Sequence, residues 1–428
     1  MIYQPVKNKI SAIFILLITI SFFAWQINRI SLSSWGIIAL AVLLLPQFIK
    51  KTLKVSDILI VTMWLTYITG GLLTYILQNN TLLAPSQQFF PTAMSGIVPL
   101  AVFLCSNTIL NRRDLIEKAI SASFLSLIGF FFLVVFGMAL GYGKPIPMNI
   151  GDQFNVDFKL GQIVFNTTAT WIGCLAIMPV PICWLIITTG QFSNAMKRLS
   201  FFLLIICTVS FIKSFTRSSI IGLIINFTLL YLFRFFFWGK FAMRHNLVYY
   251  TAIIIMIASF IIIDIPSSAI DKLIEFKYIG LDSPNIVFRQ FLIENSLNYA
   301  WKHFYGIGFG VLWNEMMLDE VNFFAWAVAG TGLLGAIGFV GVALIYTIAF
   351  VRGLFKIDPH QKLYSIAGLI TLLSTIVSSQ GNDKILYFPQ STIPFWVIIT
   401  CCYIATRLPS DHNPFLPFRQ VSKSDSPS

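Results

Sequence analysis

Residues 213–223 read KSFTRSSIIGL, and within them Lys213 and Arg217 stand four apart, where one apolar run, Leu199 to Phe211, gives way to another, Ile220 to Phe237. On a helix that spacing puts two cations on one face, and like charges so placed repel unless an anion lies between them. Phosphate suits the pair. Arginine offers a planar fork that matches two phosphate oxygens and lysine a point charge, and each charge-assisted hydrogen bond contributes about 1.5–3 kcal/mol. Anionic lipid headgroups would be held by the same chemistry, and cations at helix ends ordinarily snorkel to the interface. A third cation, Arg289, stands in NIVFRQFL (285–292), and KHFYGIGFG (302–310) follows it with Gly306, Gly308 and Gly310 at alternate positions. Glycines so spaced suit a tight loop whose backbone turns or approaches something closely. They are not flanked by the strand and helix of a nucleotide-binding fingerprint.

The elements that must position these residues are written in a very apolar chain. Of 428 residues, 57% are hydrophobic and 11% charged, and mean hydropathy is +0.81, beyond the roughly 45–50% apolar usage of soluble domains. A bilayer core needs about 20 mostly apolar residues per helix. Runs of that kind centre near residues 10–26, 34–49, 56–77, 91–109, 117–141, 168–189, 198–214, 217–238, 246–265, 324–350, 363–380 and 388–406. They predict an all-α integral membrane protein of about 12 transmembrane helices. The first run follows Lys7 and Lys9, but Phe22, Phe23, Trp25, Gln26 and Asn28 occupy the place where small residues would mark signal cleavage, so it reads as a retained span.

A net charge of +12 would suggest nucleic acid in a soluble protein. Here the cations sit in alternate loops. With the N-terminus cytoplasmic, 19 of the 29 Lys and Arg fall inside and 10 outside, which obeys the positive-inside rule and predicts both termini in the cytoplasm. Nucleic-acid binding is excluded on that ground. The six cysteines, Cys105, Cys174, Cys183, Cys207, Cys401 and Cys402, all lie in apolar spans without metal-ligand spacing, where a thiol behaves as a small hydrophobe. His245, His303, His360 and His412 are scattered, so no metal site and no cofactor is expected. Asp57, Glu117 and Asp264 fall near span ends. The buried acids of a proton-driven transporter, each costing about 2.5–3.5 kcal/mol at mid-depth, are therefore missing from the pattern.

The chain divides into one polytopic membrane domain, 1–407, and a Pro- and Ser-rich tail, 408–428, expected to be disordered in the cytoplasm. Two loops on the far face stand out. The first is 141–166, with Asp152 and Asp157; the second, about 266–322, is the longest polar segment and precedes the tenth span. Within the second, FRQFLIENSLNYAWKHF places apolar residues at Phe288, Phe291, Leu292, Tyr299, Ala300 and Phe304, close to helical spacing, predicting a helix along the membrane surface. In VNFFAWAVAGTGLLGAIGF (321–339), Gly330, Gly332, Gly335 and Gly338 form a small-residue face for close helix packing. Trp301, Tyr305, Trp313 and Trp326 cluster at this loop, where they suit either sugar stacking or the membrane interface.

The order of these pieces resembles the O-antigen polymerase and O-antigen ligase superfamily. The residues that carry the resemblance are TRSSIIGL (216–223), the arginine of NIVFRQFL, KHFYGIGFG and VNFFAWAVAGTGLLG (321–335), together with the long outer loop before the tenth span. The resemblance implies a GT-C-like glycosyltransferase of the bacterial inner membrane. Its donor would be an undecaprenyl-diphosphate-linked oligosaccharide, joined to an acceptor hydroxyl on the periplasmic face with inversion and without a metal. Carried over, Arg217 and Arg289 grip the diphosphate, whose growing negative charge fixed cations stabilise; Lys213 joins them on the spacing argument above. Ligases of the family show His-Asn at the start of the span after the large loop, the His being proposed to deprotonate the acceptor, whereas here the pair is Val321-Asn322. That difference favours a polymerase, whose acceptor is another lipid-linked repeat unit. His303, Glu294, Glu315, Asp319 and Glu320 are on the correct side to replace the base, with Asn322 keeping its place. A ligase to lipid A-core or protein is the alternative, a polysaccharide flippase or permease a third reading, and a chain-length regulator a possible partner.

Overall fold

The computed structural model describes residues 4–22, 26–27, 30–77, 92–139, 143–146, 153–160, 163–167, 169–189, 192–214, 217–238, 323–379 and 389–408, with residues 291, 294, 295, 298, 301, 302 and 304–306 of the long loop. The helices are α1 (Gln4–Thr19), α2 (Leu32–Lys50), α3 (Val55–Leu77), α4 (Val98–Ile109), α5 (Arg113–Ala139), α6 (Ala169–Ile177), α7 (Val180–Thr188), α8 (Asn194–Ser214), α9 (Arg217–Trp238), α10 (Phe323–Leu354), α11 (Pro359–Ser379) and α12 (Pro389–Ala405). Among the described residues, seven helical segments are long and apolar enough to cross a membrane, one of them made of α6 and α7 in line, and shorter apolar helices cover 8–22, 93–109, 221–233 and 391–405. This is the architecture of a multi-pass helical membrane protein. The expected span at 246–265 and the tail lie outside the described residues.

Large apolar side chains such as Leu16, Val42, Leu43, Ile49 and Phe201 face outward on these helices, as they do where the solvent is lipid rather than water. Inside, rings from α3, α10 and α12 meet edge to face: Trp64 and Trp396 at 5.0 Å and 84°, Tyr346 and Tyr403 at 5.3 Å and 86°, the geometry that ring quadrupoles prefer. All six cysteines are buried and none is disulfide-bonded.

Local chemistry sets several helix ends. Ser31 caps α2 by accepting from the Ser34 N–H at 3.2 Å. At the start of α3, Asp57 reaches back to the Lys54 N–H at 3.1 Å, the reciprocal half of a capping box. Ahead of α4 a π-helical turn covers Ala93–Ile97.

The mostly helical architecture fits the all-α expectation, with short strands in two places. Residues 141–166, read above as a loop, hold β3 (Gly143–Ile146), β4 (Gln153–Leu160) and β5 (Ile163–Thr167), following the small pair β1 (Gln26–Ile27) and β2 (Ile30–Ser31). β3, β4 and β5 form an antiparallel meander in which Val156 pairs with Gly143 on one side and Thr167 on the other. The reason is in β4 itself, QFNVDFKL, where polar and apolar residues alternate with the period of a strand. Leu160 and Ile163 form the last pair between β4 and β5.

Candidate functional site

α10 is one helix in extent but two in geometry. At Gly332 the backbone takes φ 67 and ψ −165, which no α-helix contains. The stretch 333–354 beyond the break is about 33 Å long at 1.5 Å per residue, enough to cross a bilayer core by itself. The kink divides the helix into Phe323–Thr331 and Leu333–Leu354.

The long loop docks into this break. The first free N–H of the new helix, that of Leu333, donates to the Phe304 carbonyl at 3.0 Å, which satisfies a group that helix termini leave orphaned. The Thr74 hydroxyl of α3 lies within reach of two carbonyls, Gly70 at 2.9 Å and Tyr305 of the loop, and its single proton serves one at a time. Gly306 takes φ 83, and among the described residues Gly306 and Gly332 are the glycines with positive φ. A Cβ on Gly332 would stand 2.2 Å from the Gly306 nitrogen and 2.4 Å from the Phe304 oxygen. Main chain touches main chain, and there is no room for a methyl group.

α3 closes the other side. A Cβ on Gly70 would meet the Thr331 carbonyl at 2.6 Å and the Gly335 nitrogen at 2.8 Å, and one on Gly338 would meet the Tyr67 nitrogen at 2.5 Å. Of the four glycines read as a packing face, Gly335 and Gly338 do lie against α3, while Gly332 makes the break.

The described residues of the surface stretch, 291, 294, 295, 298, 301 and 302, are helical as its periodicity predicts. Phe291, Glu294, Asn298, Trp301 and Lys302 are exposed and fall within about 100° of one helical face. Trp301 is 83% exposed. The loop is thus fixed by backbone at 304–306 and leaves an aromatic, an amide, a carboxylate and an ammonium free beside the anchor.

Lys213 stands in the last turn of α8 and Arg217 opens α9. Residues 215 and 216 between them, and Arg289, His303, Gly308, Gly310, Val321 and Asn322, lie outside the described residues, so of the predicted site Gly306 is the one whose surroundings are described. Thr74, Gly70 and Leu333 are the partners that sequence reasoning did not single out.

A second polar cluster lies at the opposite end of the bundle. Asp57 is the one Asp, Glu, Lys, Arg or His that is buried among the described residues. Arg407 grips both its oxygens, with Nη2 at 2.9 Å from Oδ2. The Tyr403 hydroxyl donates to Oδ1 at 2.9 Å and Asn107 Nδ2 at 3.0 Å, while Lys51 Nζ donates to Asn107 Oδ1 at 2.8 Å. Burial pulls the Arg407 guanidinium down, but its bonds to Asp57 and the charge there outweigh this and hold it above its ordinary value. With every lone pair of Asp57 used, the cluster is a clamp joining α3, α4 and α12.

Among models of known protein families none matches the chain, and no curated protein matches it.

Proposed function

We propose that the chain is a membrane glycosyltransferase that polymerises undecaprenyl-diphosphate-linked oligosaccharide repeat units at the outer surface of a bacterial inner membrane. In this reading both termini are cytoplasmic, twelve helices of a GT-C-like membrane fold cross the bilayer, and the long loop is periplasmic. Lys213, Arg217 and Arg289 hold the donor diphosphate; His303 and Asn322 stand on the acceptor side of the same loop.

The observation that carries the reading is the anchoring of the long loop. Its main chain is pinned at Phe304, Tyr305 and Gly306 to the broken end of a span, while Trp301 and Lys302 remain exposed beside the pin. Fixed backbone with free side chains is what a site needs if it must hold two lipid-linked substrates in one orientation, since positioning alone supplies much of the barrier reduction in a transfer reaction. A transporter would instead require charged groups along a path through mid-depth. The one buried charge among the described residues, Asp57, is consumed in a fully paired clamp at the other end.

The deciding experiment is the surface-polysaccharide ladder of a deletion strain. Single repeat units on lipid A-core are the expected result. An uncapped core with polymer left on the carrier would make the chain a ligase, and an unchanged ladder would remove the reading.

A further inference from the structure

We propose that the contact between α9 and α11 encloses ordered water at mid-depth, bound by Asn226, Thr371 and Thr375. The inference does not depend on the reaction proposed above.

α11 carries Thr371, Ser374, Thr375 and Ser378 within about 100° of arc, a polar stripe along a membrane helix, and all four are fully buried. α9 packs on its edge: a Cβ on Gly222 would lie 2.2 Å from Ser378 Oγ. On the other flank, Gly368 faces Phe350 of α10 and Cys402 of α12. Thr371 and Thr375 lie between these flanks on the helical face. One turn along α9 from Gly222 stands Asn226, also fully buried. α9 and α11 point in opposite directions, so this turn is level with the Ser374–Thr375 turn of α11.

Two hydroxyls of this stripe lack the bond that most helical threonines in the bundle make. Thr66, Thr74, Thr108, Thr208, Thr331 and Thr347 each donate to the carbonyl four residues back, while Thr392 of α12 and Ser106 of α4 are unpartnered as well. Ser374 and Ser378 also bond to their own helix, at 3.3 and 2.6 Å. Thr371 Oγ1 and Thr375 Oγ1 do not, and have no hydrogen-bond partner among the described residues. Asn226 adds a third such atom. Its Nδ2 donates to the Ile177 carbonyl at 2.9 Å, and because a carbonyl accepts only from the amino end, the amide orientation is fixed and Oδ1 is the atom left over.

A buried polar group left unpaired costs about 1–3 kcal/mol, and three on converging helices are satisfied together most simply by water, which makes about three hydrogen bonds when buried. Two hydroxyls and one amide oxygen supply that number, with donors and acceptors both present. No carboxylate lies on the stripe, so the chemistry suits a neutral ligand rather than a metal cation.

Radiolytic hydroxyl-radical labelling of the purified full chain tests this, because radicals formed from a bound water oxidise its neighbours. Cys174 is the reporter, with Sγ 3.7 Å from the Ser378 carbonyl, and Cys105, equally buried against Ile37, is the control. Oxidation of Cys174 several-fold faster than Cys105 is expected; equal rates would overturn the proposal. The double variant Thr371→Val and Thr375→Val adds a second readout. Loss of bound water should lower both Tm and Cys174 labelling. A rise in Tm with labelling unchanged would mean that the seam is dry, since removing truly unpaired hydroxyls relieves a cost.

Discussion

Gly332 of the broken helix and Gly306 of the long loop meet backbone to backbone, each with positive φ, and Gly332 leaves no space for a side chain at the contact. Alanine at 332 would be wrong twice over, in torsion and in volume. A residue forced into such a conformation costs about 1–3 kcal/mol before any clash is counted, so Gly332→Ala should undock the loop. The expected outcome is a lower Tm, faster proteolysis within 291–306 and loss of polymer, in protein that still inserts. Unchanged proteolysis would show that the contact does not hold the loop.

Thr74 offers a milder cut at the same joint. Thr74→Val keeps the shape of the side chain on α3 and deletes the hydroxyl that reaches the Tyr305 carbonyl. A neutral hydrogen bond contributes about 1 kcal/mol net, so Tm should fall by less than in Gly332→Ala while loop proteolysis still rises. A Tm drop without any change at the loop would assign the hydroxyl to its other acceptor, Gly70, alone.

The helices were legible because each must carry nearly twenty apolar residues, a pattern that few other structures produce. The meander was legible too, in the alternation of QFNVDFKL, but its position between two spans led to a loop reading. The break in α10 was not. Four glycines stand in AGTGLLGAIG, and what selects Gly332 is the arrival of Phe304 and Tyr305 carbonyls from a distant part of the chain. The same holds for Asp57 and Arg407, which are 350 residues apart: spacing along a sequence cannot report a contact made across the whole fold.

Arg217 and Arg289 carry the proposed chemistry. If fixed cations stabilise the departing diphosphate, removing either withdraws charge-assisted bonds of about 1.5–3 kcal/mol each, tenfold or more in rate. Arg217→Ala and Arg289→Ala should each abolish long-chain polysaccharide and leave membrane insertion intact. Arg217→Lys should restore less than full activity, since lysine keeps the charge but not the fork. A normal chain ladder in either alanine variant would count decisively against the diphosphate site.

The clamp at the other end makes a prediction about stability alone. Asp57 is nearly inaccessible and Arg407 lies 4.7 Å above the Tyr403 ring while bonding both carboxylate oxygens. Deleting one member of a buried pair leaves a charge without its partner and costs about 3–5 kcal/mol, whereas replacing both with apolar groups costs much less. Arg407→Met should therefore destabilise more than Arg407→Met combined with Asp57→Leu, even though the double variant removes more hydrogen bonds. Thermal unfolding of the two single variants and the double completes the cycle. Additive losses would mean that Asp57 is held mainly by Tyr403, Asn107 and the Lys54 N–H, with Arg407 contributing packing rather than charge.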